Sequence, residues 1–254
     1  MKVIDKAPEV PVKHHCKKHG EYEERYIDWF GGRVGVTSYC EECAKEQKLE
    51  EEAEQLRIHN ENQAKRLQTK KRNAGISKRN EDIRFAHYIA DTPEKELAKK
   101  KVNDMARAIY DGKEAGSLIL TGKVGTGKTM LGCAAINAII AGKSCRMVKM
   151  IDMFREIKET WRKDSPITEL ELIKKYSTVD LLVIDEAGVN YDSDTEKMFI
   201  FDIIDGRYQE MKPTIVITNL DMEELKKVMG DRVIDRLRDG GGEAVAFNWE
   251  SARQ

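Results

Sequence analysis

The chain has 254 residues, 44 Lys and Arg against 45 Asp and Glu, a net charge of −1 and 40% hydrophobic residues. That length holds one large domain or two smaller ones. No apolar run approaches the roughly 20 residues of a membrane span, and the opening Met1-Lys2-Val3-Ile4-Asp5-Lys6 lacks the apolar stretch of a secretory signal. Five cysteines, an odd number without an export signal, argue against a disulfide framework. A cytoplasmic protein is expected.

Residues 1–47 hold Cys16-x-x-His19 and Cys40-x-x-Cys43. Two-residue spacing lets both side chains of a knuckle meet one ion, and two knuckles complete a tetrahedron for Zn²⁺. His14 and His15 remain open as replacements for His19. Between the knuckles, Arg25–Phe30 and Arg33–Val36 read as two short strands around Gly31-Gly32, as in a zinc ribbon. So small a module has little core, and metal would carry much of its stability.

Residues 48–92 read as a charged helical linker. Acidic residues crowd Glu41–Glu54, and Lys65–Arg79 is basic without a single acid. Leu49, Ala53, Leu56 and Leu67 keep helical spacing, but Asn60 and Gln63 interrupt the stripe, so a solvated helix is expected rather than a sustained coiled coil. Asn73-Ala74-Gly75 reads as its stop. The basic half suits nucleic acid, an acidic partner or plain solvation.

From residue 93 to 254 strands and helices alternate, which gives a parallel sheet covered on both faces. Thr92-Pro93-Glu94 reads as a helix start. Ser117–Leu120 reads as a strand, followed by Gly122-Lys123-Val124-Gly125-Thr126-Gly127-Lys128-Thr129 and a helix opening at Thr129-Met130. This octet fits G-x-x-x-x-G-K-[ST]: glycines let backbone N–H groups close around phosphate oxygens, Lys128 reaches the outer phosphates, and Thr129 ligates Mg²⁺. Gly122 to Met130 are therefore the candidate ATP-binding set. Ser144–Met150 reads as the next strand, then a helix through Ile151, Phe154, Ile157 and Trp161. Leu181-Leu182-Val183-Ile184-Asp185-Glu186 is a Walker B pattern, in which Asp185 joins Thr129 at Mg²⁺ and Glu186 polarises the attacking water. Cys133 and Cys145 read as core residues.

Two further places carry chemistry. Asn219 follows the buried strand Pro213–Thr218, where a polar residue orients the same water; AAA+ proteins call this sensor 1. Arg232 and Arg236 stand four apart and share a helix face, and in ring-forming ATPases such arginines meet a neighbouring subunit's γ-phosphate. The choice between them stays open.

Val179–Glu186 with Gly188-Val189, Gly230–Leu237 and the terminal Phe247-Asn248-Trp249-Glu250-Ser251-x-Arg253 together resemble the DnaC family of replicative helicase loaders. The resemblance covers the ATPase region and reaches weakly into the linker at Asn73–Ile76. It implies an α/β AAA+ P-loop core without a C-terminal lid domain, which binds the hexameric replicative helicase through its N-terminal region and places it on single-stranded DNA. ATP-bound protomers would assemble into a homo-oligomer, with Arg253 at the sensor 2 position. The family's single-strand contacts fall here near Lys158, Trp161, Ser193 and Thr195; Trp161 suits base stacking or, equally, anchoring its own helix in the core. The zinc-ribbon-like start resembles the variant in phage and prophage loaders. Alternative readings are an IstB-like transposition helper ATPase and a nucleotide-stabilised adaptor. A replication initiator is disfavoured, because only Gln254 follows Arg253. No membrane partner is expected.

Overall fold

The computed structural model describes residues 2–4, 6–8, 10–29, 33–188 and 193–251. The expected Gly31-Gly32 turn, Val189 and Arg253 lie outside the described residues. The chain divides into two compact units, 1–65 and 66–254, with the boundary inside one helix.

The first unit begins with strands β1 (Lys2–Ile4), β2 (Lys13–Cys16), β3 (Gly20–Glu23), β4 (Arg25–Trp29) and β5 (Arg33–Thr37). β2 and β3 form a hairpin, and β1, β5 and β4 form an antiparallel sheet in that order. The hairpin turns at Gly20, whose φ of +80° only glycine adopts without strain. Its core is small: Val34, Val36 and Cys40 are the buried apolar residues described there. Helix α1 (Glu41–Asn73) starts between the cysteines of the second knuckle, with Glu41 and Glu42 in its first turn and Lys70, Lys71 and Arg72 in its last. Both ends therefore complement the helix dipole. No residue of α1 is buried, as expected for a solvated helix, and Gly75, at φ +81°, turns the chain out of it.

The second unit continues with α2 (Pro93–Tyr110), β6 (Leu118–Gly122), α3 (Lys128–Ile139), β7 (Cys145–Lys149), α4 (Met150–Glu159), α5 (Glu169–Thr178), β8 (Leu181–Ala187), α6 (Asp194–Gln209), β9 (Thr214–Thr218), α7 (Met222–Met229), α8 (Asp231–Arg238) and β10 (Glu243–Phe247). Thr92 caps α2 by accepting from the Lys95 N–H, with Pro93 in the first turn. Five strands form a parallel sheet in the order β10–β6–β9–β8–β7. Side chains alternate between its faces. Leu118, Leu120, Val183, Ile215 and Ile217 pack with α2 and α3, whereas Ile119, Leu182, Ile184 and Val216 pack with α4 to α8. Both faces are covered, so the strands read as unbroken apolar runs. Burying each such Leu or Ile contributes roughly 1.5–3 kcal/mol. β6 and β8 end on the same side of this sheet, at Gly122 and Ala187, and that edge carries the chemistry.

Candidate functional site

The loop between β6 and α3 closes through glycines in conformations that other residues resist. Gly122, Gly125 and Gly127 have φ of +128°, +83° and +94°. Each also meets a close neighbour. A Cβ at Gly122 would stand 2.3 Å from the Phe247 carbonyl oxygen, one at Gly125 2.0 Å from Ser251 Oγ, and one at Gly127 2.6 Å from the Tyr88 ring. The motif's glycines thus let the loop curl and let the chain behind it come close.

Lys128 is buried and donates to the carbonyls of Gly122 at 2.5 Å and Lys123 at 2.7 Å. Burial lowers its pKa, opposed by the Asp185 charge. The ammonium is thus held in the loop by weak neutral acceptors, ready for a stronger anionic one. Thr129 Oγ1 donates to Asp185 Oδ2 at 3.0 Å, which joins the two candidate Mg²⁺ ligands across 56 residues of sequence. Asp185 is buried, and burial raises its pKa in spite of hydrogen bonds from the Glu186 N–H and Thr129. A buried carboxylate short of positive charge fits a cation at that spot.

Glu186 adopts φ +53°, a left-handed conformation unusual for a residue with a side chain. The β8–β9 pairing shifts register between Ile184 and Ala187, a bulge that re-aims the strand end. Lys149, at the end of β7, holds one Glu186 carboxylate oxygen at 2.9 Å. Thr218 donates to the Ala187 carbonyl, and Asn219 beside it lines the site. A cavity of about 410 Å³ joins residues 124–130 of the loop to Asp185, Glu186, Thr218 and Asn219. Its remaining wall is Ile217 of β9 with Arg79, Asn80 and Ile83, from the turns before α2. The sequence reading did not single out Asn80 or Ile83. Only the fold brings them to the loop, where Asn137 of α3 donates to both their carbonyls.

On α8 the two arginines differ. Arg236 donates to Asp205 at 3.0 Å and lies 4.2 Å over the Tyr208 ring. Arg232 is exposed and has no ion pair or hydrogen bond among the described residues. Lys158 and Trp161 meet the start of α6: Lys158 pairs with Glu196 at 2.6 Å, and Trp161 lies 6.1 Å from Phe199 with its indole N–H on Glu169. Ser193 caps α6 by accepting from the Glu196 N–H, and Thr195 follows in the first turn. The four residues read as single-strand contacts therefore gather at one place, although Lys158 is already neutralised. Trp161 is 58% exposed, so it is no core anchor.

In the first unit Cys16, His19, Cys40 and Cys43 offer Sγ and Nδ1 atoms that all lie within 4.8 Å of one another. Cys16 Sγ is 3.4 Å from Cys43 Sγ, and His19 Nδ1 is 3.7, 3.5 and 3.3 Å from the sulfurs of Cys16, Cys40 and Cys43. Tetrahedral zinc with bonds of about 2.3 Å to sulfur and 2.0–2.1 Å to nitrogen sets ligand atoms roughly 3.5–3.8 Å apart, so the group fits that ion. Backbone N–H groups of Lys18 and then His19 lower the pKa of the Cys16 thiol, while the neighbouring Cys16 sulfur raises that of Cys43; without an ion the pair therefore favours one thiolate at Cys16. His19 Nε2 meets Glu46 Oε1 at 3.2 Å, a carboxylate that orients the ring. His14 instead pairs with Glu24 at 2.8 Å and stacks on Tyr22.

The sequence profile of the IstB-like ATP binding proteins matches residues 39–252. Among curated proteins, the replicative helicase loader DnaC of Escherichia coli K12 is 37% identical over 197 residues, spanning 77% of this chain and 79% of that protein. Among solved structures, a DnaC helicase loader superposes with a TM-score of 0.55 at 22% identity, over 67% of this chain and 99% of that one. DnaA from Aquifex aeolicus with bound AMPPCP superposes with a TM-score of 0.55 at 26% identity, over 65% and 49%.

Proposed function

The chain belongs to the IstB-like ATP-binding protein family and is an ATPase with an AAA+ P-loop core; from that premise we propose that it loads a replicative DNA helicase onto single-stranded DNA, with ATP as the switch. The observation that carries this reading is the 37% identity to the Escherichia coli DnaC loader across 197 residues. The family profile's match over residues 39–252 spans a cavity whose parts stand together.

The N-terminal end of α3, where free N–H groups and the helix dipole favour anions, would hold the phosphates of ATP. Lys128 exchanges its loop carbonyls for phosphate oxygens. Thr129 and Asp185 would hold Mg²⁺, which would supply positive charge against the phosphates. Glu186 takes the proton of the attacking water, and Asn219 orients that water. Arg232 reaches the neighbouring protomer's γ-phosphate; its lack of partners among the described residues, against the committed contacts of Arg236, supports it as the finger. Arg253 keeps the sensor 2 role.

The N-terminal unit holds Zn²⁺ through Cys16, His19, Cys40 and Cys43 and docks on the helicase. The α4–α6 corner contacts single-stranded DNA, chiefly by stacking on Trp161. The family profile also favours a second reading, an IstB-like transposition helper ATPase.

Co-purification tests the proposal. The tagged chain is mixed with a DnaB-type hexamer, with Mg-ATP, without it, and as Lys128→Ala. Capture of the hexamer is expected, with transfer to single-stranded DNA only where ATP binds. Duplex DNA binding without capture of any hexameric helicase would put the transposition reading first.

A further inference from the structure

The terminal Phe247-Asn248-Trp249 motif enters the family resemblance without a task of its own, and the fold supplies one. β10 pairs in parallel with β6 residue for residue, and Phe247 stands opposite Gly122. The chain therefore leaves the sheet alongside the phosphate loop. Trp249 packs its ring on Phe247, centroids 4.6 Å apart, and donates its indole N–H to the Thr126 carbonyl at 2.9 Å. Ser251 follows, against Gly125.

A trans peptide is planar, so the carbonyl of one residue and the N–H of the next point in opposite directions. Fixing the Thr126 carbonyl towards Trp249 therefore aims the Gly127 N–H the other way, and both residues line the cavity. No carbonyl or side chain among the described residues accepts from that N–H. Gly127, at φ +94°, could rotate this peptide at little cost if nothing held it. Thr126 Oγ1, the other brace, donates to the Lys123 carbonyl at 2.9 Å and leaves the peptide plane free.

We infer that Trp249 is a positioning residue for nucleotide binding, which holds the Thr126–Gly127 peptide so that its N–H faces the phosphates. The inference rests on the reading of this cavity as the ATP site. It makes the segment 247–251 the outer clamp of the loop. Because coupling is reciprocal, phosphate on the inner side tightens the indole contact on the outer side.

Calorimetric titration with Mg-ATP of the wild type, Trp249→Phe and Lys128→Ala tests it on the full chain. Phenylalanine keeps most of the ring and loses the donor. We expect affinity for ATP to fall about tenfold, the worth of one well-placed hydrogen bond, with the nucleotide-free melting temperature little changed. In ¹⁵N-labelled wild type, the Gly127 amide and the Trp249 indole N–H signals should move together during the titration. This readout does not need the variant to fold. Wild-type affinity in Trp249→Phe, or an indole signal that ignores nucleotide while Gly127 responds, overturns the inference. If the wild type and Lys128→Ala bind alike, the nucleotide reading itself fails, and the inference falls with it.

Discussion

At the scale of single residues, the site opposes charge to burial. Asp185 sits where water cannot reach it well, and its pKa is raised above the ordinary carboxylate value. The folded state therefore holds the proton more tightly than the unfolded chain. Stability from this group is present at low pH and lost as pH rises through the raised pKa. At pH 7 the charged carboxylate weakens the nucleotide-free fold, a cost that makes sense where a cation is to be bound. Asp185→Asn, with the same shape and no charge, should melt at a higher temperature than the parent at pH 7. Its advantage should shrink towards acid pH, and Mg-ATP hydrolysis should be lost. Melting curves of both proteins from pH 4 to 8 check the sign. The motif that holds Lys128, Thr129 and Asp185 was legible because its spacing encodes chemistry. Asn80 and Ile83 were not, since nothing local marks a residue that becomes a wall only when a preceding turn folds over α3.

At the scale of elements, Arg207 joins what the sheet alone does not. This α6 residue is almost wholly buried, and burial pushes its pKa down to about 9. Its guanidinium donates to the carbonyls of Tyr176, Ser177 and Val179 at the end of α5, and to Pro213 and Thr214 where β9 begins. The cation thus meets the negative end of a helix dipole and satisfies carbonyls that the last turn leaves open. Arg207→Met should cost roughly 3–5 kcal/mol, because several buried acceptors lose their donor at once. Arg207→Lys should recover only part of this, since one ammonium cannot span the fork. Urea unfolding at pH 7 measures both. The alternation of strand and helix and the Thr92 cap were readable from residue pattern. The strand β10 was not: five residues after a glycine run carry no period long enough to name, and its place beside β6 is a long-range pairing.

At the scale of the molecule, two units divide the chain, and they draw on different sources of stability. The 66–254 unit has a large apolar core on both faces of its sheet. The 1–65 unit buries few apolar side chains among its described residues, so an ion held by its cysteines and His19 would supply what packing does not. Cys40→Ser with Cys43→Ser should release about one zinc per chain. Proteolysis should then open the first unit and spare the second. Zinc content by elemental analysis and the cleavage pattern read the two halves of this statement separately. Among the described residues no helix is long and apolar enough to cross a membrane.

The sequence by itself determined which chemistries are available: a phosphate loop, a strand ending in two acids, and two metal knuckles. Each is a short spacing imposed by local geometry, and local geometry survives in one dimension. Tertiary structure decided where each of several equivalent side chains sits. His19 faces the cysteines while His14 turns to Glu24, and Arg236 is spent on Asp205 and Tyr208 while Arg232 has no partner among the described residues. Trp249 reaches a loop 123 residues earlier in the chain. These choices depend on where strands pair and helices pack, and residues far apart in sequence learn of each other only when the sheet forms.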